Sequence, residues 1–110
     1  MSKRRAFPDL AKFDCEDYSH SDLAHIGFYD RRNQHWLVVP VSRAEELRDI
    51  NGHALDFLRI GGPGVDGIAF GYRAGESGVW AYYPSESRFE LMATSALELI
   101  TKWESGKLML

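Results

Sequence analysis

From His25 onward, apolar and polar positions follow legible periods. His25–Tyr29 and His35–Val39 are short apolar runs around the polar turn Asp30–Gln34, which predicts an antiparallel hairpin ended by Pro40. Ser42 and Glu45 stand at capping-box spacing. With Ala44, Leu47 and Arg48 behind them and Asn51-Gly52 as an exit, they predict a helix. Ala54–Ile60, Gly67–Tyr72, Gly78–Tyr83 and Arg88–Met92 are four further strand patterns. The turns Gly61–Gly64, Arg73–Ser77 and Pro84–Ser87 separate them, and these links are too short for crossovers, so the first three form a meander. A second capping box, Ser95 with Glu98, opens a helix. Its stripe is Ala96, Leu99, Ile100 and Trp103, and Gly106 ends it. Residues before His25 are weakly patterned; Pro8 fits the first turn of a short helix over Asp9–Asp14, and Lys107–Leu110 a short strand or packed tail.

This order predicts one α+β domain: a mainly antiparallel sheet of five to six strands with helices packed on one face. In Gly67–Tyr72, Ile68, Phe70 and Tyr72 point one way and Gly67, Ala69 and Gly71 the other. The large set is expected in the core. The small set is expected to lie bare beneath Trp80 and Tyr82 of the next strand, which otherwise form an exposed binding patch.

Composition narrows the class. The 110 residues hold 45% apolar and 26% charged positions, ordinary globular usage, with no apolar run of membrane-spanning length. One Cys excludes an internal disulfide and points to a reducing, cytoplasmic setting. Net charge is −3, but this conceals a division. Lys3, Arg4 and Arg5 form a basic tip, with residues 1–6 expected to be mobile and no apolar stretch following to make a leader. Without the triplet, 10 basic residues face 16 acidic ones, net −6. Asp9, Asp14, Glu16, Asp17, Asp22 and Asp30 are opposed by Lys12 alone. Such a surface repels nucleic acid and attracts a basic protein.

Candidate chemistry is sparse. Gly62–Gly67 matches G-x-G-x-x-G, yet a strand rather than a helix follows, and Pro63 removes one amide, so the segment reads as a turn. His20, His25, His35 and His53 form no metal pattern, and Cys15 reads as a small apolar filler. No catalytic set, metal site or cofactor motif emerges. A small-ligand or minor-enzyme pocket near Asp66, His35 and Trp80 is the alternative, and self-pairing of the Arg88–Met92 or Lys107–Leu110 edge into a homodimer is a third option.

The run Phe57–Gly61, then Gly64–Tyr72, Gly78–Pro84, Phe89–Ala93 and the helix starting at Ser95 within Ala93-Thr94-Ser95-Ala96-Leu97 resembles the SUKH superfamily. That group joins the Syd protein, fungal cell-wall assembly regulators and bacterial toxin-immunity proteins. The likeness covers about residues 57–110 and implies a non-enzymatic protein-binding module, in the bacterial branch often one that neutralises a toxin. On that reading the contacts are Asp14, Glu16, Asp17, Asp22 and Asp30, with Asp66, Tyr29, Trp36, Trp80 and Tyr82, and the partner is a basic toxin.

Overall fold

The computed structural model describes residues 9–108 and 110; the basic tip, Pro8 and Met109 lie outside them. The architecture is α+β. A 3₁₀ turn (Leu10–Lys12) leads into two single-turn helices, α1 (Glu16–Ser19) and α2 (Leu23–Ile26). Strands β1 (Phe28–Asp30) and β2 (His35–Val38) follow, then a 3₁₀ turn (Val41–Arg43) and β3 (Glu45–Arg48). Four longer strands complete the sheet: β4 (Ala54–Gly61), β5 (Ala69–Arg73), β6 (Val79–Tyr83) and β7 (Arg88–Ala93). Helix α3 (Ala96–Glu104) closes the chain. The seven strands pair antiparallel in the order β1-β2-β4-β5-β6-β7, with β3 also on β4. The expected hairpin and meander are both present.

Three expectations are corrected. The Ser42–Arg48 segment is not a helix: only Val41–Arg43 makes a turn, and Glu45–Arg48 is a seventh strand. The cause is tertiary. β2 reaches β4 only at Gly61, so the edge of β4 away from β5 is open from Ala54 to Arg59 unless β3 pairs with it. Pairing there also packs Leu47 against the cluster around Phe57, which outweighs a local cap. Asn51-Gly52 then acts as a hairpin turn, with Asp49 accepting the amides of Asn51 and His53 at 2.9 Å. Likewise, His25 and Ile26 belong to α2 and not to the first strand. Gly27 ends that helix at φ +65°, and a Cβ there would stand 2.5 Å from the Val38 carbonyl oxygen. The fourth strand pattern also starts later, at Ala69, because Gly67 sits at φ +68° in the turn.

Every helical residue of the core lies on one side of the sheet. Tyr18, Ala96, Leu99 and Ile100 pack with Leu58, Ile60, Phe70, Tyr72, Val79 and Ala81. The opposite face holds a smaller cluster of Phe57, Ala69 and Tyr82, flanked by Leu47, Leu55, Trp80 and Phe89. That face is concave. β4 and β7 lie three strands apart, about 14 Å in a flat sheet, yet the Phe57 and Phe89 rings are 5.3 Å apart. The small residues of β5 allow this. Gly71 pairs with Trp80 and Ala69 with Tyr82, so rings from both sides lean over nearly bare backbone. A Cβ on Gly71 would collide with the Leu58 carbonyl oxygen.

Candidate functional site

The acidic residues divide sharply by what they meet. Asp14, Glu16 and Asp22 are exposed. Asp14 and Asp22 have no ionic partner among the described residues, and Glu16 has only the exposed His20, 3.8 Å away. Asp17 is a structural peg. Its carboxylate accepts the Tyr72 hydroxyl at 2.9 Å and the Ala96 amide at 2.8 Å, tying α1 to β5 and to the first turn of α3. Burial, reinforced by the Asp17 charge, raises the Tyr72 phenol above its ordinary range.

Asp30 is the second peg, 6% exposed. It accepts the Asn33 amide side chain and the Trp103 indole N–H, both at 2.7 Å, and the backbone amides of Arg32 and Asn33 at 3.0 and 3.3 Å. Led by the Asn33 side chain, these donors hold the carboxyl down at about 2 against the opposing effect of burial. Neither peg is free to grip a partner without releasing these donors.

The aromatic candidates are similarly divided. Tyr82 is buried in the concave-face cluster, and Trp80 is half-buried with its indole N–H given to the Ser77 carbonyl. The Arg73 guanidinium lies 4.8 Å from the Trp80 ring and 4.3 Å from that of Phe89. These are structural positions. Tyr29, 43% exposed, meets Trp36 edge-on at 5.3 Å, and Arg43 lies over the other ring at 5.4 Å. That pair stands at the open β1 edge of the sheet.

His35, Asp66 and Trp80 do not converge. His35 lines a groove beneath the glycine loop, Asp66 lines a neighbouring hollow with Pro84 and Arg88, and Trp80 lines neither. The His35 ring is held edge-on to Trp103 at 5.8 Å, under Gly64, whose φ of +83° and 3.0 Å approach leave no room for a side chain. The G-x-G-x-x-G segment is a turn leading into β5, not into a helix. Cys15 is buried, and burial raises its thiol above the ordinary range.

A hollow of about 610 Å³ accompanies the free acids. Leu10 and Phe13 give it an apolar floor, while Asp14, Glu16 and His20 stand around it. Lys12, also at its rim, is neutralised by Asp56 at 2.6 Å. Sequence reasoning identified the charge of this segment. It missed the hollow, where Phe13 bridges to Ala74 and brings Gly75 to the wall from far along the chain. Among the described residues, no group of three His, Cys, Asp or Glu side chains is placed to hold a metal, and no helix is long and apolar enough to cross a membrane. No protein-family model, curated protein or solved structure matches the chain.

Proposed function

We propose that this protein is a non-enzymatic, SUKH-like binding module of the bacterial cytoplasm, of the immunity type, that neutralises a basic protein toxin. The observation that carries the reading is the N-terminal hollow with its uncompensated rim. Asp14 and Glu16 stand around an apolar floor of Leu10 and Phe13, with the exposed Asp22 further along the segment, and among the described residues only the exposed His20, 3.8 Å from Glu16, offers any of the three a cation. A Lys or Arg side chain fits such a place well: its aliphatic stem lies on the floor while its cationic head meets the carboxylates. Asp17 and Asp30 serve this function indirectly, by fixing α1 and the β1–β2 turn in place. The resemblance over residues 57–110 supplies the family and the toxin; the hollow supplies the face.

The test is calorimetry with the purified product of the adjacent gene. A 1:1 complex is expected, weakened by added salt, and the triple variant D14N/E16Q/D22N is expected to cut association at least about tenfold. A neighbour that is plainly metabolic, or a complex indifferent to the triple variant, overturns the reading.

A further inference from the structure

A second groove, of about 780 Å³, opens where β4 is shared between two partners. Since β2 holds only Gly61 of β4 and β3 holds Ala54–Arg59, the edge forks. The cleft is lined by β2, by the segment entering β3, by Arg59 of β4 and by the glycine loop.

Its charge is opposite to that of the chain. Arg43 and Arg59 both line it, with Glu45 as the one carboxylate among the lining residues. A guanidinium carries five N–H donors. The Arg43 guanidinium donates no hydrogen bond to a described residue and rests against the Trp36 ring at 5.4 Å, an arrangement that leaves its planar fork free. Arg59 approaches Glu45 only to 3.9 Å, beyond hydrogen-bond range. By contrast, Arg88 is held by Glu86 and Glu90 at 2.8 and 2.7 Å, and Lys12 by Asp56 at 2.6 Å. What sets this cleft apart is that two such arginines line one groove beside an indole ring. Beside His35 and the loop glycines, the remaining lining is apolar, with Trp36, Val65 and Ile68 among it, and the volume lies in the range of small-molecule sites.

We propose that this groove binds a small organic oxyanion with an apolar body, the anionic end held by the guanidinium forks of Arg43 and Arg59 and the body lying against Trp36 and Ile68. The site stands apart from the acidic face. Glu45 is its built-in competitor, occupying the neighbourhood of Arg59 when the ligand is absent.

The test is a titration at constant ionic strength with three probes: phenyl phosphate, benzoate and inorganic phosphate. It is followed by ¹H–¹⁵N spectra of the Gly62, Gly64 and Gly67 amides and the Arg43 and Arg59 side-chain N–H groups. Saturable shifts at these positions are expected for at least one aromatic probe, at about tenfold lower concentration than for inorganic phosphate. Preference between phenyl phosphate and benzoate identifies the anion as phosphate or carboxylate. R43Q and R59Q are each expected to weaken binding about tenfold, as loss of a charge-assisted contact does. E45Q is expected to strengthen it several-fold, a gain that misfolding cannot mimic. Absence of saturation with every probe, indifference to R43Q and R59Q, or unchanged affinity in E45Q overturns the proposal. The D14N/E16Q/D22N variant is expected to bind these probes normally, which separates this site from the protein-binding face.

Discussion

Asp30 offers a test of how the β1–β2 hairpin is fixed to α3. Its carboxylate receives four N–H donors, one of them from Trp103, which is 73 residues away in the chain. These donors hold the folded carboxyl at about 2, against an ordinary value of 3.8. The difference corresponds to about 2 kcal/mol at neutral pH, after allowance for screening at this peripheral position. Asp30→Asn removes the charge and aims an amide N–H₂ at neighbours that are themselves donors. Asn33 Nδ2 and Trp103 Nε1 both bond Oδ2, and the Arg32 and Asn33 backbone amides both bond Oδ1, so whichever oxygen becomes the amide nitrogen leaves one pair without its acceptor, and the expected loss is about 3 kcal/mol.

The pH dependence sharpens the expectation. A carboxyl whose folded pKa is depressed stabilises the fold above its unfolded pKa, near 4, and loses that contribution as pH falls towards 2. At pH 3 roughly half of the linked contribution is gone. Urea denaturation of wild type and D30N at pH 7, 5 and 3, read by tryptophan fluorescence and far-ultraviolet circular dichroism, should show a gap that narrows by about 1 kcal/mol. D14N, at an exposed carboxylate without a partner, serves as the control and should change stability by less than about 0.5 kcal/mol. A D30N loss below that same figure at pH 7, or a gap constant down to pH 3, would refute the assignment of Asp30 as a peg.

Three further outcomes follow from the packing. Gly71→Ala drives a Cβ into the Leu58 carbonyl oxygen and should cost about 3 kcal/mol or more. Gly75→Ala meets nothing within 4 Å and suffers only its φ of +78°, about 1 kcal/mol; thermal unfolding of the two variants compares them. A double-mutant cycle on Asp17→Asn and Tyr72→Phe should give a coupling of about 1–2 kcal/mol, and additive losses would deny the bond between them. The Cys15 thiol, buried and raised in pKa, should react with a disulfide reagent at least about 100-fold slower in native protein than in urea; equal rates would contradict its burial.

The strands from β4 to β7 and helix α3 were legible because their determinants are local. Phe70 and Tyr72 alternate with Ala69 and Gly71, and Ser95 caps Glu98 within one turn; the cap bond forms at 3.0 Å. β3 was not legible, because its cause is an absence elsewhere: β2 stops at Gly61 and leaves β4 open. The one local sign was Asn51-Gly52, which serves equally as a helix exit and a hairpin turn; only the partner strand decides between them.

The same logic explains why the acidic segment looked uniform in sequence and is not so in structure. Asp14 and Asp17 are three residues apart with the same chemistry, and each can serve a partner or the fold. What separates them is the Tyr72 hydroxyl and the Ala96 amide, 55 and 79 residues further on, which reach one carboxylate and not the other. A carboxylate's role is set by the donors it meets, and those donors come from the tertiary fold. Net charge therefore overstates the surface available for recognition. With Asp17 and Asp30 engaged internally and Lys12 neutralised by Asp56, the free charge among these candidates contracts to Asp14 and Glu16 around the Phe13 hollow and the exposed Asp22. This contraction makes the protein-binding proposal sharper than composition allowed: removing those three charges should abolish steering of a basic partner, whereas D17N and D30N should act through stability alone, their binding recovering wherever the fold is intact.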